Sequence, residues 1–363
     1  MLRHLGVPAA KSEMSFSVAL AQPRIEWSGT DLDTLFAQRR NLLRPGFMRM
    51  VLDVLRFNRE AAAAADVAAD PARAAETLGG FLVRGRYSNA FRDWYLVPMA
   101  AAIWSCPTAT MLEYPFASFA RFFRNHGLLQ LRDRPQWYTV EGGARRYVDK
   151  LAARLRDVRL SSPVRGVVRD ARGVTLAGER FDALVLACHS NQALRILGDS
   201  ARPEERSALD AIGWQSNRAV LHTDASLLPA NPRVWSAWNY AAGHGAPDAR
   251  PVAVHYLINR LQPLPFTAPV IVSLNPFRAP HPASILGEYD YAHPAFGQGA
   301  VQAQARLGAL QGRQHTWFCG AWTRNGFHED GLQSAIAVAG DFGVAPPWQP
   351  LQAAPALSQA IAA

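Results

Sequence analysis

The chain is poor in the residues that would tie it to several large classes of protein. It has three cysteines, Cys106, Cys188 and Cys319, and no C-x-x-C pair. A set that is odd in number and scattered excludes a disulfide framework and a structural zinc site, and points to a reducing, cytoplasmic setting. Lysine is nearly missing: Lys11 and Lys150 are the only two among 38 basic residues, so the net charge of +9 belongs to arginine. Those arginines form no basic tail or stripe, which argues against nucleic acid as a partner and for a compositional bias. No apolar run approaches the ~18 residues of a membrane-spanning helix. The longest, Leu96 to Trp104, has nine. There is no G-x-S-x-G elbow, no H-E-x-x-H and no P-loop, so His189-Ser190 reads as a turn rather than a hydrolase nucleophile. His222, His255, His281 and His293 lack metal-ligand spacing, and no metal site is expected. A G-x-G-x-x-G loop is also absent: Gly79-Gly80, Gly142-Gly143 and Gly243-His244-Gly245 all miss its spacing. Met1 to Pro8 does not have the charged-then-apolar order of a signal peptide, and reads as the end of a helix stopped by Gly6 and Pro8.

What is present is a globular composition, 49% hydrophobic and 18% charged over 363 residues, enough for about two domains. Aromatic side chains are plentiful (17 Phe, 10 Trp, 9 Tyr) and suit a large core or a lined pocket. Met14 to Trp27, with Gln22-Pro23 at its centre, predicts a hairpin. Leu35 to Arg59 has helical spacing, with arginines at 39, 40, 44, 49, 56 and 59 on other faces. Such a basic amphipathic helix either packs on its own domain or lies on a membrane surface. Ala61 to Ala75 reads as helix or connection, and Phe91 to Trp104 and Ser118 to Phe123 as further helices. After Gly142-Gly143 an amphipathic helix carries Tyr147, Val148, Leu151 and Leu155, followed by strand-like stretches at Leu160–Val168, Val174–Leu176 and Phe181–Ala187. Ala219–Thr223, Val234–Tyr240, Val252–Leu257 and Val270–Leu274 predict an antiparallel sheet.

The chemistry concentrates near the C-terminus. A strand, Thr316–Cys319, ends in Gly320-Ala321-Trp322, and a loop through Gly326-Phe327-His328 leads into Glu329-Asp330-Gly331 and a helix to about Ala339. Glycines at a strand-to-helix turn let backbone approach a ligand, and the helix start offers unpaired N–H groups to a phosphate or a flavin edge. The residues alone leave a second reading open, a helix capped by acids in its first turn.

The segment Cys319-Gly320-Ala321-Trp322 … Gly326-Phe327-His328-Glu329-Asp330-Gly331-Leu332-Gln333-Ser334-Ala335 resembles the C-terminal flavin-binding motif of the flavin-containing amine oxidase and phytoene desaturase superfamily. Gly142-Gly143 with its helix resembles the family's paired-glycine segment. Ser162-Pro163-Val164 and Phe181-Asp182-Ala183-Leu184-Val185-Leu186-Ala187-Cys188 resemble the strands at the adenine end. Asn125-His126-Gly127-Leu128-Leu129 and Ala187-Cys188-His189-Ser190 are similar to a bacterial branch described as NAD/FAD-binding oxidoreductases, over about residues 1–345. The resemblance implies FAD as cofactor, held by Gly142, Gly143, Val164, Gly320, Ala321, Trp322, Gly326, Phe327, Glu329, Asp330, Gly331, Leu332 and Ser334, with Val164 meeting the adenine through its backbone. It also implies an opening strand with G-x-G-x-x-G for the pyrophosphate, which this chain does not show. The expectation is therefore a chain short of its first βαβ unit, through a gene start lying upstream or through loss. Neither lysine stands where many amine oxidases place one near the flavin, and no catalytic residue is assigned.

The expected fold is α/β, an amine-oxidase-like arrangement of two discontinuous domains: substrate parts at 1–130 and 201–300, flavin parts at 131–200 and 301–345, and a tail at 346–363. The expected function is FAD-dependent hydride abstraction from a small hydrophobic or lipid-like substrate. The alternative is a non-catalytic remnant that binds no flavin. A peripheral membrane contact through the basic helix 35–59 completes the expectations.

Overall fold

The computed structural model describes residues 1–64, 76–104, 108–130, 133–247 and 250–348. Its largest sheet uses β2 (Phe16–Leu20), β3 (Ile25–Ser28), β9 (Gly213–His222), β10 (Trp238–Ala242), β11 (Val252–Leu257), β12 (Ile271–Leu274) and β13 (Ile285–Ala295) in the order β13-β9-β12-β11-β10-β2-β3. Neighbours are antiparallel except β10 and β2, which run parallel. Because side chains alternate along a strand, the register sorts this sheet into two unlike faces. Phe16, Trp238, Tyr256 and Val272 stand side by side in one cross-strand row. The next row, Ser17, Asn239, His255 and Ser273, faces the other way and is buried and polar.

Helices cover the apolar face. α1 (Pro45–Ala64) buries Phe47, Met50 and Phe57, and α3 (Val97–Trp104) buries Ala101 and Ala102; Val18, Tyr240, Trp27, Phe47 and Ala102 share one cluster. The short α2 (Leu78–Arg84) and α4 (Phe116–Asn125) add to the helical part, with the Phe57 ring against those of Phe81, Phe116 and Phe119.

The remaining strands are short. β1 (Ala9–Ser12) pairs with β4 (Trp137–Val140), and β5 (Val168–Asp170), β6 (Gly173–Leu176) and β7 (Glu179–Phe181) form a meander. β8 (Leu184–Leu186) lies parallel to β14 (Thr316–Phe318). α5 (Arg145–Ala152) follows Gly142-Gly143, α6 (Ser190–Leu197) follows β8, α7 (Pro203–Asp210) packs on α6 and α8 (Gln298–Arg306), and α9 (His328–Asp341) follows β14. One buried cluster runs from Phe57 and Phe123 through Leu186 and Leu209 to Phe318 and Trp322, so helical and strand parts share a core. No helix of the described residues is long and apolar enough to cross a membrane.

The 14–27 hairpin, the 91–104 and 116–125 helices, the β6 strand and the 328–341 helix form where the sequence places them. Several details differ. The helix expected from Leu35 begins at Pro45, because Arg39–Leu43 winds as a separate 3-10 turn that Pro45 does not extend backwards. Leu160–Gly166 forms no strand: the β-prone residues there find no partner strand and stay exposed. Val234 lies in a 3-10 turn before β10. The sheet is not wholly antiparallel, and the helical first third supplies β2 and β3 to it. β13 was not expected. Of the Ala61–Ala75 stretch only 61–64 is described, as helix; Cys106-Pro107 and residues 349–363 of the tail lie outside the described residues.

Candidate active site

β14 delivers the chain to the site. Its end, Gly320, has a φ of 143°, and a Cβ there would meet the Trp322 indole at 2.8 Å. Only glycine turns the chain so sharply under that ring. The Gly320 N–H donates to Ser334 Oγ at 2.9 Å, and Ser334 Oγ donates to the Gly331 carbonyl at 2.8 Å, so one hydroxyl ties the strand end to the second turn of α9. Trp322 is buried, and its Nε1 donates to the Cys188 carbonyl at 2.9 Å, pinning the turn to the end of β8. Gly331 lies against Ala321. Thus Gly320, Ala321, Trp322, Gly331 and Ser334 shape the turn, whereas Gly326, Phe327, His328 and Glu329 line a cavity of about 710 Å3. Leu332 is half-buried in the first turns of α9.

The first turn of α9 leaves N–H groups without intrahelical acceptors. Asp330 takes up the Phe327 N–H at 3.0 Å. Burial raises the Asp330 carboxyl above its ordinary value, with the Phe327 N–H and the Arg324 charge opposing.

The cavity wall is aromatic. It includes Phe16, Trp27, Tyr95, Phe122, Trp137 and Trp238, with Arg134 and Glu329 as charged residues. Phe327 stacks on Phe122 at 5.1 Å, and Phe122 stacks on His126 at 4.0 Å. His126 Nδ1 lies 2.9 Å from the Phe122 carbonyl, which can only accept, so Nδ1 carries the proton and Nε2 is the imidazole's acceptor. Trp27 stacks on Tyr95 at 5.7 Å, and burial pushes the Tyr95 phenol up to about 12, keeping it neutral. A second space of about 340 Å3 adjoins at Gly326 and Phe327, floored by Ala219, Tyr256, Val272, Leu274 and Tyr291 of the large sheet. His293 reaches it, hydrogen-bonded to Asn217 at 2.9 Å, and burial lowers its imidazole below the usual value.

The other expected contacts lie apart from this cavity. Gly142 and Gly143, at φ 74° and 83°, turn the chain from β4 into α5, and Val164 is 45% exposed in an irregular stretch. α5 buries no residue, and Val148, Leu151, Leu155, Val158 and Leu160 are exposed around it. β14 has its outer edge closed: Gln311 accepts from the Phe318 N–H and donates to the Phe318 carbonyl, while the Gly312 N–H donates to the Thr316 carbonyl. The far edge of β8 pairs with no strand among the described residues.

This arrangement fits a flavin in part. The ring end finds a flat-walled space of suitable size against a helix start. The dinucleotide end has no glycine-rich phosphate loop among the described residues. No cluster of three or more His, Cys, Asp or Glu there could hold a metal. Sequence reasoning missed His126, Tyr95, Trp27, Trp238 and Arg134 as cavity residues; the density of aromatics before residue 140 was the available signal, without a spacing that would single out these members.

Residues 32–235 match the family described as flavin containing amine oxidoreductase. The match takes in Gly142, Gly143 and Val164 and stops short of the turn before α9. No curated protein sequence matches the chain significantly. Among solved structures, the chain is similar to cyclohexylamine oxidase from Brevibacterium oxydans IH-35A at 16% identity and a TM-score of 0.63, covering 94% of this chain and 84% of that one. It is similar to putrescine oxidase at 14% identity with the same score and coverage. A fatty acid isomerase from P. acnes that produces CLA follows at 12% identity and a TM-score of 0.62, covering 94% and 83%. At these identities the likeness establishes the mixed α/β, FAD-binding amine-oxidase-like fold.

Proposed function

The chain belongs to the flavin-containing amine oxidoreductase family, and so to the FAD-dependent oxidoreductases; from that premise we propose that its substrate is a hydrophobic, lipid-like molecule taken into the aromatic cavity. The observation that carries this reading is the cavity wall, in which Phe16, Trp27, Phe122, Trp137 and Trp238 far outweigh Arg134 and Glu329. A long apolar substrate gains from such a wall by burial alone, at about 25 cal/mol per Å2 of apolar surface.

When bound, FAD would accept a hydride from a substrate C–H bond, the neighbouring C–N or C–C bond becoming double as a proton leaves the adjacent atom. Phe327 and the start of α9 would hold the ring, with Phe122 stacked behind Phe327. His126 Nε2 takes the proton that accompanies the hydride, its ring held by the Nδ1–H contact to Phe122. The aromatic wall excludes water while this happens. Arg134, whose Nε donates to the Gln130 carbonyl at 2.9 Å, stands at the cavity to meet an anionic substrate end.

The same reading assigns the flavin part to about 131–200 and 301–345, which the β8–β14 pairing supports, and the substrate part to 1–130 and 201–300, which the β2–β10 pairing supports. It further seats a βαβ unit with a phosphate loop on the open edge of β8 and the exposed apolar face of α5, since parallel strands are ordinarily covered on both faces. The competing reading, a fold that binds no flavin, draws on that same uncovered face.

The purified chain, mixed with FAD and desalted, should show the two flavin absorbance bands and oxidise acyl or isoprenoid compounds. If it is colourless while a version extended by the in-frame upstream codons is yellow, the flavin site depends on the added unit. A colourless protein in both forms supports the remnant. Turnover of simple amines with no acyl or isoprenoid activity sinks the lipid-like substrate.

A further inference from the structure

α1 carries two apolar stripes, and only one has a partner. The inner stripe, Phe47, Met50, Phe57 and Ala61, is buried. The outer one is Met48, Leu52 and Leu55, exposed to 36%, 58% and 48%, at the i, i+4, i+7 spacing that aligns them on one side. The turn just before the helix adds Leu42 and Leu43, the latter 88% exposed. Five large apolar side chains within fourteen residues of α1 and the turn before it are thus left wholly or partly exposed among the described residues.

Arginines surround the stripe. Between residues 36 and 60 stand Arg39, Arg40, Arg44, Arg49, Arg56 and Arg59 against Asp53 and Glu60. Asp53 is buried and engages Arg49 at 3.4 Å and Arg56 at 3.2 Å, so its charge is spent inward. Arg39 pairs with Asp33. Arg40 and Arg44 donate to the Arg24 carbonyl at 3.2 and 3.0 Å, contacts that fix the guanidinium groups without neutralising them. Arg59 has no carboxylate partner among the described residues. The surface thus combines protruding leucines with uncompensated positive charge.

We infer that this outer face of α1, with the Arg39–Leu43 turn, is a docking surface for an anionic lipid bilayer. Leucines at this depth enter the acyl boundary while arginines meet phosphate groups, the arrangement of an interfacial helix. A second copy of the chain does not fit, because a two-fold interface would set the same arginines against one another.

The test is co-sedimentation of the full chain with phosphatidylcholine vesicles, with and without about a third phosphatidylglycerol. The expected result is binding to the anionic vesicles only, weakened at least tenfold at about 0.5 M salt, where charge attraction is screened over a few ångströms. L43E/L52E and R40E/R44E should each lose about tenfold in partitioning. L286E, at an exposed site on β13, should bind as the parent does, and circular dichroism should report all as folded. Failure to bind the anionic vesicles overturns the inference, as does equal binding to neutral ones or indifference to L43E/L52E. Dimerisation of the parent that L43E/L52E abolishes overturns it in favour of a second copy.

Discussion

At the scale of single residues, the site is built from side chains whose hydrogen bonds leave them one option. His126 is the clearest. Its Nδ1–H is committed to the Phe122 carbonyl, its ring stacks on Phe122 and lies tilted toward Phe327, and it lines the cavity. His126→Phe keeps the flat ring and the stack while removing the acceptor nitrogen. It should lower kcat about a hundredfold with little change in KM, and leave the melting temperature near that of the parent. Equal loss in kcat and melting temperature would reduce His126 to packing. None of this was legible in the sequence, where His126 is one of 10 histidines and one of two that precede a glycine. Its position at the C-terminal end of α4, with the ring folded back on Phe122, appears only when the helix is in place. Gly320, by contrast, stood out as a glycine at the end of a strand that turns toward a helix, whereas Ser334 came only through the family resemblance.

At the scale of elements, the π-turn Arg92–Leu96 ahead of α3 shows how an irregularity positions the cavity. Widening the helix leaves the Asp93 and Trp94 carbonyls for other donors: Arg250 bonds the first at 3.0 Å and Trp27 Nε1 the second at 3.2 Å. Trp27 and Tyr95 are thereby held as a stacked pair in the wall. Apolar periodicity located this helix but could not reveal the extra residue in its turn. β13 was missed for a related reason: its run Leu286-Gly287-Glu288-Tyr289-Asp290-Tyr291 is largely exposed, and it is held by its ladder to β9 rather than by burial. β5 joins α7 through Arg169 and Glu205, each 1% exposed and 2.7 Å apart, with Arg169 also reaching Thr316 Oγ1 at the start of β14. Burial works against the Glu205 charge, yet Arg169 and the Arg202 N–H hold its carboxyl below the ordinary value. Arg169→Met alone should cost about 3–5 kcal/mol by stranding that carboxylate, whereas Arg169→Met with Glu205→Leu should recover most of the loss. Urea unfolding of the two variants decides it; equal destabilisation would mean the pair matters only as packing.

At the scale of the whole molecule, the sheet's polar face links acidity to stability. His222 Nε2 and His255 Nδ1 both meet Ser273 Oγ, at 2.7 and 2.6 Å, inside the protein. Burial lowers His255 to about 3, with His222 and Arg278 adding to the effect, and burial also lowers His222 against the pull of Asp224. Both are neutral when folded, whereas in the unfolded chain they protonate near the ordinary histidine value of about 6.5. Below that pH the unfolded state binds more protons, so stability present above about 6.5 is lost progressively as pH falls toward 3. The slope from His255 approaches about 1.4 kcal/mol per pH unit, His222 adds in the same direction, and His255→Gln should flatten the profile. Urea midpoints measured from pH 7 to 4 that run level with pH would contradict this.

The parallel pair β8 and β14 has a consequence of its own for how the protein behaves in concentrated solution. Gln311 blocks one border of the pair by imitating a neighbouring strand with its amide. On the other border Leu184-Val185-Leu186 has no partner strand among the described residues, with Val185 42% exposed between two buried leucines, and exposed leucines and valines stand around α5. An unguarded edge with apolar surroundings is where chains join one another and come out of solution. Association through added strands is thus expected at the β8 border and not at the one that Gln311 closes.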